Sequence, residues 1–353
     1  MIDLSNPSLL TILFAMIVLS AWLIKLWNDP LMKEFHNVYN AVQKIHDGFT
    51  PRLGGSIFFL FFAIIIFIFD FEGFSFLRVS VFALLPTVLI TLIEDIFNNI
   101  KPKVRLVAII ISSILLLALI EVPLPIINIP YLREFFLSNP VVLGMILIIS
   151  LSALANGFNL IDGANGILYF SFMSILSSML ILAQALNSFP FINIYSILLI
   201  LTIISIIFNY PAGKMFAGDL GAYCLGLLVG FVTILFFSEH ASLITWYVLL
   251  ILFYPTFELI FSMMRRFKNN KPLMRADAYH MHQLIFSLLN KNYSNYVSNN
   301  LVVLILSPIW LFPLVWIFLF GPFMNFLMTW LGIILECLIY ITMYRYVRKL
   351  SHD

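Results

Sequence analysis

NYPAGKMFAGDLGAYCLGLLVGFVTILFFS, residues 209–238, decides how the chain folds. From Gly221 to Ser238 no residue is charged, and the run is long enough to cross the roughly 30 Å hydrocarbon core of a bilayer. Just before it, Pro211, Gly213, Lys214, Gly218 and Asp219 interrupt the apolar pattern. A membrane tolerates irregular, polar backbone only where it lines a cavity or meets water. The stretch therefore reads as a polar turn feeding a transmembrane helix.

The rest of the chain repeats this pattern. Of the 353 residues, 62% are hydrophobic and 10% charged, with a mean hydropathy of +1.04. A soluble domain keeps charged residues at about a quarter of its length, so a water-facing surface cannot be built from this composition. A net charge of +2 is too small to indicate a nucleic-acid partner. Cys224 and Cys337 both lie in apolar runs, which argues against a disulfide framework or a thiolate metal site. The segment 8–27 is long enough to span and follows Asp3 rather than a basic region, so it reads as a first helix and not as a cleaved signal.

Apolar runs predict an all-α polytopic membrane protein of about eleven transmembrane helices. They fall near 8–27, 54–70, 79–95, 104–121, 140–156, 166–187, 190–208, 221–238, 245–264, 299–320 and 322–344. The breaks at Asn187–Pro190 and Gly321–Pro322 are the weakest, and losing one would leave ten. With the N-terminus periplasmic, every one of the 19 basic residues except Arg78 and Arg133 falls on one side. That side is cytoplasmic by the positive-inside rule, and so is the C-terminus. No internal repeat is visible, and the chain reads as a single integral-membrane domain over 1–353. Its polar loops span about 28–53, 95–104, 156–166, 209–221 and 265–298.

Five polar clusters occupy those loops. The first joins Lys44-Ile45-His46 to Pro51-Arg52-Leu53-Gly54-Gly55, a tight helix entry with cations at headgroup level. Taken alone, Arg52 would be a positive-inside anchor. In the second, Glu94 and Asp95 end a helix, where paired carboxylates repel each other and oppose the dipole. They need a cation, a base role or solvent, and Lys101, Lys103 and Arg105 stand near enough to neutralise them.

The third cluster, Asn156 to Gly166, holds Asn159, Asp162 and Asn165 among three glycines, with no lysine or arginine. Asn159 and Asp162, three apart, can share a helical face. The fourth is the opening stretch. There Asp219 could ligate a cation while helix-start amides hold phosphate oxygens, although a plain N-cap is the simpler reading. Lys214 suits a phosphate, and Phe216 offers a flat face to a base. The fifth runs from Asp277 through His280 and His282 to Gln283. Two histidines without further zinc ligands suit pyrophosphate better than metal. Leu284, Ile285, Leu288 and Leu289 suggest a short interfacial helix lying on the membrane. Intramembrane Glu258 and Glu336 receive no role, and His36 and His240 look incidental.

On one face these clusters supply carboxylates for a hard cation, basic groups for phosphates, an aromatic face and two histidines. Mg²⁺ binds through one or two carboxylates together with substrate phosphates, and phosphoryl transfer needs chiefly positioning and charge neutralisation. A secondary transporter would instead place ionisable groups near the bilayer midplane.

The ordered set His46…Pro51-Arg52-Leu53-Gly54-Gly55, Glu94-Asp95, Asn159-Leu160-Ile161-Asp162-Gly163, Phe216-Ala217-Gly218-Asp219-Leu220-Gly221 and Asp277…His280-Met281-His282 resembles the polyprenyl-phosphate N-acetylhexosamine-1-phosphate transferase family. The likeness runs from about residue 36 to 289. This family includes initiators of O-antigen, common-antigen and teichoic acid synthesis and is related to phospho-N-acetylmuramoyl-pentapeptide transferase.

The resemblance implies a Mg²⁺-dependent (or Mn²⁺-dependent) enzyme of the bacterial inner membrane with a cytoplasmic active site. It would transfer a sugar 1-phosphate from a UDP-N-acetylhexosamine to polyprenyl phosphate and release UMP, beginning a cell-surface glycan such as O-antigen or capsule. It implies Asp219 as metal ligand and Asp95, next to Glu94, as the residue positioning or deprotonating the lipid phosphate. Asn159, Asp162, Asn209 and Phe216 would hold the nucleotide, and Lys44 and Arg52 the phosphates. His280 and His282 would touch diphosphate or sugar, and a homodimer is the expectation by analogy. The family's usual residues are replaced by Glu94, Asn165 and Gln283, and Gln43 stands where an arginine is expected. Those replacements leave room for an altered or non-catalytic member. The muramoyl-pentapeptide enzyme, with three consecutive histidines, is the less similar relative. A reporter fused at the C-terminus is expected in the cytoplasm; a periplasmic signal would overturn the helix parity.

Overall fold

The structure, a computed structural model, describes residues 5–29, 50–119, 124–127, 133–270 and 279–352. Among these there are only helices. They are α1 (Pro7–Trp27), α2 (Gly54–Ile68), α3 (Phe74–Phe97), α4 (Pro102–Ala118), a short α5 (Arg133–Ser138) and α6 (Pro140–Ile161). Then come α7 (Ile167–Ala185), α8 (Phe189–Asn209), α9 (Gly218–Glu239), α10 (Tyr247–Ile251), α11 (Phe253–Lys268) and α12 (Met281–Leu289). The series closes with α13 (Asn295–Ile305), α14 (Ser307–Trp310), α15 (Phe312–Phe320) and α16 (Phe326–His352).

Each predicted apolar interval is largely helical where it is described. Among the described residues eight helices, with Asn295–Phe320 taken as one, are long and apolar enough to cross a membrane, against the eleven expected, and Gly54–Ile68 is shorter. The chain is an all-helical, polytopic membrane protein. Two intervals expected to be continuous are broken. The run over 245–264 divides at Leu252, three residues before Pro255. The run over 299–320 divides into α13, α14 and α15, with Pro308 and Pro313 in the first turns of the later pieces. Proline has no amide to donate and clashes with the preceding turn, so each restart falls where the ladder must break anyway.

Helix α9, the one read from the opening stretch, is the axis of the bundle. Nearly all of its residues are buried, and it packs on α2, α3, α4 and α6. Small residues allow that approach. A Cβ on Gly55 would run into the backbone of Gly221, and a Cβ on Gly226 would press on Ala155 and Phe158 of α6. Lipid is as apolar as a leucine side chain, so close van der Waals contact at small residues is what draws such helices together. The outer helices instead present Phe14, Val18 and Trp22 of α1 and Phe326, Leu327 and Leu331 of α16 outward.

Polar bonds stitch the interior. The Thr87 amide, next to Pro86 within α3, donates to Ser112 Oγ of α4 at 3.2 Å. Ser113 meets Ser152 across α4 and α6 at 3.1 Å. Cys224 and Cys337 are free thiols, and Cys224 is in the core. His240 packs on Phe236, with the ring centroids 4.5 Å apart and the planes tilted by 33°.

The stripe of α12 departs from expectation. Leu284 and Ile285 are buried, with α12 packed on α16 and α13, so its apolar face seals the bundle rather than resting on lipid. Replacing Gly55 by Val is expected to push α2 off α9 at a cost of about 1–3 kcal/mol. The check is a lower Tm in detergent, with a smaller folded fraction by size exclusion.

Candidate active site

Because α2, α3, α4, α6, α7, α8 and α9 run up and down in turn, the start of α2, the end of α3, the start of α4, the end of α6 and the start of α9 meet at one end. A backbone clamp sets the geometry there. Phe216 donates its amide to Pro51 O at 2.9 Å. Gly54 and Gly55 return amides to the carbonyls of Phe216 and Ala217, each at 2.9 Å. The first amides of a helix have no partner inside it, so here the orphans of α2 are satisfied by the loop that starts α9. Gly218 allows the close approach. It has φ +73°, and a Cβ would strike Arg52 O and the Asp95 carboxylate.

Asp95 completes the joint. Its Oδ1 accepts the Asp219 amide at 2.8 Å and its Oδ2 the Leu220 amide at 2.9 Å. The N-cap of α9 thus comes from α3, and Asp219 lies within the first turn instead of serving as its own cap. The helix-start amides expected to hold phosphate are already engaged by Asp95.

The freed Asp219 carboxylate faces two guanidinium groups. Arg52 Nη2 is 2.5 Å from its Oδ1, and Arg105 Nη1 bonds its Oδ2. Arg52 Nε also approaches Asp95 Oδ1 at 3.4 Å. Arg105, noted in the sequence only as a neutralising neighbour, is therefore a site residue. Glu94 lies 3.3 Å from Arg105 and accepts the Ile100 amide at 2.6 Å, so its longer side chain closes the turn from α3 to α4. The acidic pair points into the protein, with Glu94 and Asp95 both buried.

Asp162 follows the end of α6. Burial pushes its carboxyl up to about 7, Arg52 pulls it down, and the Asp219 charge pushes it further up. Asn159 donates to the Tyr223 hydroxyl of α9 at 3.0 Å. Glu94, Asp95 and Asp219 thus pair with two arginines, and Asp162 lies near enough to feel the charges of Arg52 and Asp219. Among the described residues no three carboxylate, thiol or imidazole groups form a closed metal cage.

The other expected residues divide between the site and its supports. Phe216 is half-buried on the clamp, and Lys214 is exposed. Asn209 is buried, with Oδ1 accepting the Gly166 amide at 2.6 Å and Nδ2 donating to Met215 O at 3.0 Å. Its amide joins two loops instead of presenting itself to a nucleotide. Lys44 and His46 lie outside the described residues, as do His36 and Asp277.

His280 and His282 do come together, although two residues apart. His280 is the N-cap of α12 and His282 sits in its first turn, and their rings are parallel with centroids 5.8 Å apart. His282 lies against Gly163, where a Cβ would strike its Nε2. Burial first, and His280 second, lower the His282 pKa to about 4 against the pull of Glu258, so the ring is neutral.

The remaining departures from the family pattern have structural uses. Asn165 donates Nδ2–H to Pro211 O at 3.2 Å and to Asn300 Oδ1 at 2.9 Å, a bond pair no carboxylate could make. Gln283 accepts the His280 amide at 3.3 Å.

Fold and site together define a polytopic helical membrane protein with a carboxylate- and arginine-lined centre at one end of its bundle. Residues 76–237 match the family model described as Glycosyl transferase family 4. A Bacillus subtilis protein named probable undecaprenyl-phosphate N-acetylglucosaminyl 1-phosphate transferase is 23% identical over 269 residues, 73% of each chain. A Thermotoga maritima protein named undecaprenyl-phosphate alpha-N-acetylglucosaminyl 1-phosphate transferase is 29% identical over 138 residues, 39% of this chain and 41% of its own. The family-model match and both relatives support the resemblance to the polyprenyl-phosphate N-acetylhexosamine-1-phosphate transferase family.

Replacing Asn165 by Asp would set a carboxylate against two acceptor oxygens and is expected to cost about 1–3 kcal/mol. A thermal melt in detergent checks this, and an unchanged Tm would refute the role of the Asn165 bond pair.

Proposed function

We propose that the protein transfers N-acetylhexosamine 1-phosphate from a UDP-sugar to undecaprenyl phosphate at the cytoplasmic face of the bacterial inner membrane. The sugar is N-acetylglucosamine, the one in the names of both relatives. The product would start a cell-surface glycan. The observation that carries this reading is the meeting of Arg52, Arg105, Asp95, Asp162 and Asp219 at one end of the bundle. In the positive-inside assignment that end faces the cytoplasm, where a soluble nucleotide sugar and a membrane-held phosphate can both arrive.

In the proposed reaction an oxygen of the lipid phosphate attacks the sugar-side phosphorus. One P–O bond forms, the bridging P–O bond of the diphosphate breaks, and UMP leaves. Such a transfer depends mainly on alignment and on neutralising charge spread over phosphoryl oxygens. Arg52 and Arg105 supply fixed positive charge, and Arg52 also bridges Asp95 and Asp219. Mg²⁺, when bound, would supply further neutralisation of the diphosphate, with Asp219 as its protein ligand. Asp95 aims Asp219 by capping α9 and stands beside Arg52, where it can orient the lipid phosphate or take its proton. Phe216 would offer a face to uracil, and Asn159 and Asp162 would be polar partners for the nucleotide. His280 and His282 close the sugar and diphosphate side.

Purified protein, undecaprenyl phosphate and a panel of UDP-sugars test the reading by UMP release with and without Mg²⁺. UDP-N-acetylglucosamine is expected to react only with the metal present. Asp219→Asn is expected to reduce turnover by about a hundredfold or more with the folded fraction unchanged. No turnover on any sugar would sink the proposal.

A further inference from the structure

Glu258 lies in α11, where it is completely buried. It is not alone. Tyr340 of α16 donates its hydroxyl to Glu258 Oε2 at 2.5 Å, and His280 Nδ1 meets Oε1 at 3.0 Å. Ser262, one turn further along α11, sits 3.2 Å from the same ring nitrogen. Both carboxylate oxygens are thus occupied, one by a group that fixes the carboxylate and the other by the imidazole. Removing a carboxylate from water costs several kcal/mol, and a pair of apolar residues of the same size would serve stability as well or better. The arrangement does accomplish something an apolar pair cannot. An acceptor on Nδ1 fixes the ring's rotation and puts the proton on that nitrogen, so the orientation and character of Nε2 are set as well.

The consequences reach the site. The His280 ring stacks on His282, which rests on Gly163 beside Asp162. The entry to α12 is held separately. Arg265 Nη1 donates to Tyr279 O at 2.8 Å and to the Tyr344 hydroxyl at 3.1 Å, one turn beyond Tyr340. Backbone placement of the histidine segment therefore has its own support, which leaves Glu258 with the imidazole.

We propose that Glu258, fixed by Tyr340, is a positioning residue for phosphoglycosyl transfer: it holds the His280 imidazole through Nδ1 and so presents Nε2 to the phosphate-bearing substrates. The inference rests on the function proposed above.

Its test pairs kinetics with an activity-independent spectrum. Glu258→Met keeps volume and removes the acceptor. It is expected to lower kcat about 10- to 100-fold, the usual loss on deleting a partner that orients a reacting group, with KM changed less than about threefold. Joined to His280→Ala, it should add nothing to the loss seen with His280→Ala alone, because both act through one ring. Equal Tm with additive losses, or activity within about twofold of the parent, would overturn the proposal. If Glu258→Met does not fold, Tyr340→Phe replaces it. About a three- to tenfold loss is expected with His280 present and none in the His280→Ala background, and a loss in both backgrounds would overturn the proposal. Should the parent protein turn over no sugar, the function fails but this inference remains decidable. Histidine ¹⁵N spectra, with His280→Ala as the assignment control, should show the Nδ1-protonated ring in the parent, its loss in Glu258→Met, and a shifted His280 signal in Tyr340→Phe, where the acceptor stays but is no longer fixed. An unchanged His280 signal in either variant would refute the role.

Discussion

At the start of α9, two amides that its own helix cannot satisfy are taken by the carboxylate of Asp95, at 2.8 and 2.9 Å. This one bond pair couples α3 to the most buried helix of the bundle. It also spares the Asp219 side chain from capping duty. Were Asp219 the cap, its oxygens would turn back onto its own backbone; instead they face Arg52 and Arg105. The glycines make the joint possible. A side chain at Gly218 would displace the Asp95 carboxylate, and one at Gly55 would lift α2 away from Gly221. Backbone packing and site chemistry therefore meet in the same few residues.

A second layer supports the site without lining it. Asn209 and Asn165 join loops through donor–acceptor pairs that demand an amide, and Glu94 closes the turn between α3 and α4. Gln283 holds the first amide of the histidine segment. Several of these are positions where the chain departs from the usual residues of the family it resembles. Their uses are local and geometric, so such replacements reshape support more than they remove chemistry.

Much of the site was legible in one dimension. Asp95, Asp219, Asp162, Arg52 and the two histidines stand out because a bilayer penalises polar groups that have no use, and all of them reappear at one end of the bundle. Arg105 was less visible. A basic residue at a helix start satisfies the positive-inside rule by itself, and only its approach to Asp219 distinguishes it from Lys101 and Lys103. Asn209 misled in the opposite sense, since a buried amide looks like a ligand until its partners are seen to be backbone.

The sequence by itself determined the class. Apolar runs of spanning length and a one-sided distribution of basic residues are enough, because insertion in a bilayer responds to local hydropathy and charge. The stretch from Asn209 to Ser238 already announced a polar turn followed by a buried helix. Only the tertiary structure decided which acid caps the helix and which pairs with the arginines. Hydrogen bonds reach about 3 Å, and their partners here come from residues more than a hundred positions apart. The same reason kept Glu258 silent: its partners, Tyr340 and His280, lie on other segments that only folding brings within reach.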